Sequence, residues 1–197
     1  ATAATLPSLL ASADAIAATP KKGGKLRLGM SGEESGNSLM ASSPNCCANY
    51  PGNLQFCMRN TLVETDHNYA PEPSLAQEWS AGKDPSEWTF RLRSGVEFHN
   101  GKTLTSEDVK WTIAHQIGED STSPAKPIVN QVQEILTPDP TTVTFKLGGP
   151  NADFPALMGD YHLQVVPDGY KDDLGGEGTG PFVLESYEPG IKVNLKR

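Results

Sequence analysis

Polar and apolar residues alternate most cleanly along Glu87-Trp88-Thr89-Phe90-Arg91-Leu92-Arg93. This predicts a strand with Trp88, Phe90 and Leu92 on one face and Thr89, Arg91 and Arg93 on the other. The same period of two in Lys25-Leu26-Arg27-Leu28-Gly29-Met30 predicts an earlier strand, and Leu75 to Ser80 a short one after the breaker Pro71-Glu72-Pro73. The pattern becomes helical after Leu104. Thr105 is a suitable N-cap, Asp108 three residues on completes a variant capping box, and Val109, Ile113 and Ile117 follow at four-residue spacing as a core stripe. Leu54 to Glu64 also reads as a helix, and Asp153 to Met158 as a short one entered through Asn151. Val129 to Leu136 and Thr141 to Leu147 form a predicted hairpin across Thr137-Pro138-Asp139-Pro140. Phe182 to Tyr187 and Ile191 to Leu195 form a second around Glu188-Pro189-Gly190. Leu163-Gln164-Val165-Val166, stopped by Pro167, predicts a further strand, and no internal repeat is visible. The sum is a mixed, strand-rich α/β chain.

Two stretches fall outside these patterns. Ser31 to Asn53 is a long polar segment punctuated by Gly32, Gly36, Pro44, Pro51 and Gly52, and a loop of that length is uncommon unless it binds something or moves. Ala1 to Pro20 is rich in Ala, Ser, Thr and Leu, lacks Lys and Arg, and holds the small-x-small triplets Ala11-Ser12-Ala13 and Ala13-Asp14-Ala15. It reads as the end of a secretory signal or as a flexible linker, and residues 1–22 are set apart from the fold on either reading.

Charge narrows the partners. Sixteen Lys and Arg against 24 Asp and Glu leave a net charge of −8, which repels phosphate backbones and anionic membrane surfaces, so nucleic acid is not an expected partner. No run approaches the length of apolar sequence that a membrane-spanning helix needs. Three cysteines, Cys46, Cys47 and Cys57, lie close together. In an exported protein they make one bridge and one free thiol, with Cys57 joined to Cys46 or Cys47, because neighbouring cysteines rarely reach the preferred torsion. Such a loop is worth about 2–3 kcal/mol on the chain-entropy model, while structural thiols or a chance cluster remain the competing readings.

Two glycine motifs mimic nucleotide sites and fail on spacing. Gly95 to Thr103 ends in Gly101-Lys102-Thr103 like a phosphate loop, but it carries five intervening residues instead of four, and the helix start comes later, at Thr105. Gly175-Gly176-Glu177-Gly178-Thr179-Gly180 invites a dinucleotide reading, yet Pro181-Phe182 opens a strand where that motif requires a helix. His67, His99, His115 and His162 are scattered without metal-ligand or nucleophile spacing, and Glu33-Glu34 and Asp172-Asp173 are loop carboxylate pairs of the ordinary solvated kind. No catalytic constellation, metal site or cofactor is therefore expected.

One set of segments is more specific. Gly23-Gly24-Lys25-Leu26-Arg27-Leu28-Gly29, Leu75-Ala76-Gln77-Glu78-Trp79, the Trp88 to Arg93 strand with Gly95 to Lys102, the Leu104 to Val109 helix start, and Gly178-Thr179-Gly180-Pro181-Phe182 occur in order. Together they resemble the family-5 extracellular solute-binding proteins, the dipeptide-, oligopeptide- and nickel-binding receptors that feed bacterial ABC importers. The resemblance runs from about Gly24 to Arg197. It implies a type II periplasmic-binding-protein fold, here an incomplete first lobe (residues 23–57 and 179–197) with an inserted strand-rich subdomain (58–178) and no second lobe. It also implies a monomeric, periplasmic receptor that hands a peptide or peptide-like solute to a membrane permease and catalyses nothing. The Cys46-Cys47 pair sets the long loop apart from the family's pattern, and the candidate ligand contacts read from its own residues are Glu34, Ser43, Asn45 and Tyr50, with Thr179 near the hinge. Glu34 would pair with a peptide ammonium, and Asn45 and Tyr50 would offer hydrogen bonds and an aromatic wall. Two other classes remain as alternatives, a secreted hydrolase and a docking or adhesion module without a ligand cleft.

Overall fold

The computed structural model describes residues 23–31, 39, 49–119, 121–171 and 176–197, and of Asn49 to Gly52 the main chain only. Its centre is a four-stranded antiparallel sheet in the order β3-β4-β6-β5, built from β3 (Ala76–Ala81), β4 (Glu87–Leu92), β5 (Val132–Asp139) and β6 (Thr142–Leu147). The alternation in β4 has the predicted consequence. Phe90 and Leu92 are buried and Trp88 packs half-buried against the same core, while Arg91 points outward and pairs with Glu78 across the β3–β4 ladder at 2.9 Å. The Trp88 indole, too large to be covered completely, donates to the carbonyls of Pro85 and Asn151 at 3.1 and 3.0 Å.

Helix α2 (Ser106–Ile117) lies against β5 and β6 and buries Val109 and Ile113. Its start is built as the capping signal requires: the Asp108 carboxylate accepts from the Thr105 main-chain N–H at 2.8 Å and from the Thr105 hydroxyl at 2.9 Å. The core between helix and sheet is aromatic. Phe90 meets Phe145 edge-on at 5.6 Å, and Phe145 meets Phe154, from the short helix α4 (Phe154–Leu157), at 5.4 Å. A second, smaller cluster joins Leu39, Leu54, Met58 and Tyr187, where helix α1 (Asn49–Met58) meets the antiparallel hairpin β7 (Val183–Glu188) and β8 (Lys192–Lys196).

Several predicted elements shift. The helix expected over Leu54 to Glu64 instead starts at Asn49, inside the expected loop, and stops at Met58. Thr61 and Val63 then favour extended backbone, and Val63–Thr65 forms strand β1, paired with Pro71–Pro73 (β2), where only a breaker was expected. Residues Lys126–Val129 form the short helix α3, so the hairpin strand begins at Val132 rather than Val129. Leu163 to Val166 is not a strand. Tyr161–Leu163 makes a 3-10 turn, and Gln164 to Val166 runs on buried and extended. Its bonds go to an isolated carbonyl and a side chain, Val165 N–H donating to Asn60 O at 2.9 Å and Val166 N–H to the Thr112 hydroxyl at 3.2 Å. Lys25 to Met30 likewise forms no strand: no described segment pairs with it, and Leu26 and Leu28 stand 80% and 72% exposed.

Candidate functional site

The glycine-rich turn from Gly178 to Phe182 is a strap pinned on both sides. On one side His99 grips it twice: its main-chain N–H donates to Gly178 O and its ring Nε2 to Gly180 O, both at 2.9 Å. On the other side Gly180 N–H donates to Met58 O at 2.7 Å and Phe182 N–H to Cys57 O at 3.1 Å, continuing the end of α1. The approach is close enough that a Cβ on Gly180 would meet the Met58 carbonyl carbon at 2.5 Å, which is why glycine stands there. Arg59 seals the junction from within. It is buried, its Nε donates to Glu177 O at 2.8 Å, its NH2 to the Tyr170 hydroxyl at 2.9 Å and its NH1 to Leu39 O, and its guanidinium lies over the Tyr170 ring.

Lys102, the lysine of the segment that mimics a phosphate loop, has a structural partner. Its Nζ pairs with the buried Asp108 carboxylate, which also takes Asp168 N–H at 2.7 Å, while Gly101 supplies the left-handed turn at φ +84°. Asp108 thereby ties a loop, a helix start and the 168 turn together, and no phosphate is needed to explain the lysine.

Beside the strap a cleft of about 360 Å³ opens between the end of α1, residues 59–65 and the Gly159–Gln164 stretch. Phe56, Asn60, Glu64 and Gln164 line it, and Phe56 sits 6.3 Å from Tyr161 at an interplanar angle of 40°. Asp160 turns away to hold His162, accepting from its ring Nδ1 at 2.6 Å and from its main-chain N–H at 2.9 Å. Burial pushes the Asp160 carboxyl up, but these hydrogen bonds and the adjacent imidazole outweigh it and hold the group below the ordinary carboxylate range.

Of the expected ligand contacts, Thr179 lies at the strap, where its hydroxyl donates to Asn60 Oδ1 at 3.0 Å. It therefore reaches the cleft only through Asn60. Tyr50 lies on α1, and its side chain is outside the described residues, as are Glu34, Ser43 and Asn45. Cys57 is half-buried near the end of α1 with a free thiol, and its two proposed bridging partners, Cys46 and Cys47, are outside the described residues. Sequence reasoning missed Phe56, Asn60 and Gln164. The one available signal was a glutamine inside the apolar run Leu163-Gln164-Val165-Val166.

Comparison with known proteins adds a frame to this geometry. The family model described as bacterial extracellular solute-binding proteins, family 5, middle, matches residues 70–197. The chain is similar to the uncharacterized protein YhjP of Bacillus subtilis (strain 168), at 36% identity over 124 residues, 62% of this chain and 21% of that protein. It is also similar to DdpA of Escherichia coli (strain K12), described as a probable D,D-dipeptide-binding periplasmic protein, at 32% over 137 residues, 63% of this chain and 26% of that protein. Among solved structures it superposes on AgaA from A. tumefacien R10, in complex with agropinic acid, with a TM-score of 0.76 at 23% identity, covering 84% of this chain and 34% of that one. DppA from Helicobacter pylori, in complex with the peptide STSA, gives 0.70 at 24% identity, covering 83% and 37%. These two likenesses bear on the fold alone. The chain spans about a quarter of the length of these curated relatives and about a third of the solved structures.

Proposed function

Because the chain belongs to family 5 of the bacterial extracellular solute-binding proteins, we propose that it is part of a receptor that captures a short peptide or peptide-like solute and delivers it to an ABC-type permease. The family is one of binding proteins rather than enzymes, so the chemistry to be explained is recognition and release. The observation that carries the reading is the cleft of about 360 Å³ beside the pinned glycine strap, since a concave, partly apolar site with a few polar groups is what small-solute binding requires. The dipeptide description of DdpA, 32% identical over 137 residues, supports a peptide-like solute.

On this reading residues 23–57 and 179–197 belong to one lobe and residues 58–178 to an inserted subdomain, and the solute is closed in when a second lobe folds over it. Receptor and permease meet outside the inner membrane, and among the described residues no helix is long and apolar enough to cross one. Glu34, Ser43, Asn45 and Tyr50 remain the proposed contacts from the long loop.

Calorimetric titration of the chain with a short-peptide pool, an opine and a nickel–histidine complex tests the proposal. Peptide binding is expected, at least about tenfold weaker than in a protein that adds the second lobe, a difference of about 1.4 kcal/mol. Absence of binding to all three classes, with and without the second lobe, would overturn it.

A further inference from the structure

Gln164 is 1% exposed and lines the cleft, yet among the described residues neither its amide nitrogen nor its amide oxygen has a hydrogen-bond partner. A buried primary amide with both ends unmet is costly, and such groups persist where something else supplies the partners. The neighbouring polar groups do not. Asn60 Oδ1 takes the Thr179 hydroxyl, the Thr61 hydroxyl donates to Val63 O at 2.6 Å, and the Arg59 guanidinium is held by Glu177, Leu39 and Tyr170.

We propose that Gln164 is the recognition group of this cleft and that it takes the first peptide group of a short peptide. This rests on the receptor reading above. A primary amide presents a donor and an acceptor side by side, and its complement is another amide. A carboxylate would meet only Nε2, and an ammonium only Oε1. Both atoms are buried, so the side chain meets a solute by turning into the cleft, and no hydrogen bond of its amide to a described residue is broken in doing so.

Two further features choose which end of a peptide enters. Glu64 lines the same cleft with an exposed carboxylate that accepts one hydroxyl, from Ser74 at 3.0 Å, and so retains capacity for an ammonium. The guanidinium in the wall is already committed, so a terminal carboxylate would find no comparable cation. Phe56, which lines the cleft and is 56% exposed, offers an apolar wall to the first side chain. At about 360 Å³ the cleft lies near the lower end of small-ligand sites and takes the N-terminal end of a peptide rather than its whole length.

The test is titration of the chain, followed by calorimetry and by amide NMR, with the tripeptide Ala-Phe-Ala, its N-acetylated form, and the ester analogue in which the first peptide N–H is replaced by oxygen. Gln164→Leu is expected to weaken the tripeptide about tenfold while raising the melting temperature, because it removes an unpaired buried amide. The ester should bind the unaltered chain several-fold more weakly than the tripeptide, and Glu64→Gln should penalise the free tripeptide but not its acetylated form. The ester comparison needs no variant and so survives a Gln164→Leu chain that fails to fold. Equal affinity of tripeptide and ester, or an unchanged affinity in Gln164→Leu, overturns the assignment of Gln164 while the receptor reading stands. Binding of an opine but of no peptide does the same. Binding of no solute of any class, with or without the second lobe, overturns both.

Discussion

His99 holds Gly180 through its ring: Nε2 lies 2.9 Å from the Gly180 carbonyl oxygen, and since a carbonyl only accepts, the ring proton sits on Nε2. The other ring nitrogen, Nδ1, is buried with no partner among the described residues, so the ring is committed to this one contact. The histidine of the Gly95 to Lys102 turn, incidental by its sequence spacing, thus fastens the strand-rich subdomain to the segment that leads into the β7–β8 hairpin.

The strap should be more sensitive to its glycine than to its latch. His99→Ala removes one hydrogen bond and leaves the main-chain bond to Gly178, a loss of about 0.5–1.5 kcal/mol. Gly180→Ala drives a methyl group into the Met58 carbonyl carbon and the Arg59 amide nitrogen, backbone atoms that cannot swing aside, and should cost about 1–3 kcal/mol or more. Urea unfolding of both variants checks the order. In His99→Ala, hydrogen exchange at the Gly180 amide should also accelerate relative to the sheet. A neutral Gly180→Ala would show that the close approach is not maintained in solution.

Phe90 is fully buried and edge-on to Phe145 at 5.6 Å and Phe154 at 6.3 Å, so it joins strand β4, strand β6 and helix α4 in one contact. Phe90→Ala should cost about 3–5 kcal/mol, and Phe90→Leu clearly less because most of the volume is kept. An unchanged unfolding midpoint in Phe90→Ala would place the wrong face of β4 in the core.

Elements whose pattern is local were legible in the sequence. Strand β4 was announced by alternation, helix α2 by Thr105 and Asp108, and the β7–β8 hairpin by its turn residues, because in each case the signal and the structure lie within a few positions. The β5–β6 hairpin forms as expected, but Thr137 to Asp139 continue β5 and the turn falls at Pro140 and Thr141. Gln164 to Val166 misled because it is buried on both sides and bonded to Asn60 and Thr112, distant partners that no periodicity reveals. Lys25 to Met30 alternates as a strand should, but a strand also needs a neighbour, and none of the described residues supplies it. The cleft was illegible for a related reason. Phe56, Asn60 and Glu64 meet Gln164 across about a hundred residues of chain, a separation no local pattern reveals, and the glycine motif that drew notice supplies backbone close to the cleft rather than a contact within it. Thr179 was placed near the right junction, but its hydroxyl is spent on Asn60.

Asp108 and Lys102 form an unequal pair. The carboxylate is fully buried and serves Thr105, Lys102 and the Asp168 amide, whereas the ammonium is partly exposed. Asp108→Ala should therefore cost about 3–5 kcal/mol, since it strips a helix cap and leaves several donors unmet. Lys102→Ala should cost markedly less, because the remaining donors still surround the carboxylate. Thermal unfolding of the two single variants decides between this and a phosphate role for Lys102. If Lys102→Ala left stability unchanged but abolished nucleotide binding, the structural reading of the lysine would be wrong.

Asp160 makes a prediction in pH. Burial raises its carboxyl, but the hydrogen bonds and charge of His162 prevail and leave the folded value below the unfolded one of about 3.9. A carboxyl lowered on folding adds stability above its unfolded value, and that contribution disappears as pH falls through the folded value. Melting temperature measured from about pH 6 to pH 2 should accordingly fall in the chain as Asp160 takes up its proton. In Asp160→Asn this group's share of the acid limb should be absent, so the two curves should converge as pH falls. His162 keeps a hydrogen-bond acceptor in the asparagine, so a packing change alone would shift the whole curve without altering its slope. Parallel curves over that range would show that the Asp160–His162 contact carries no proton linkage, and that the stretch leading to Gln164 is held by packing alone.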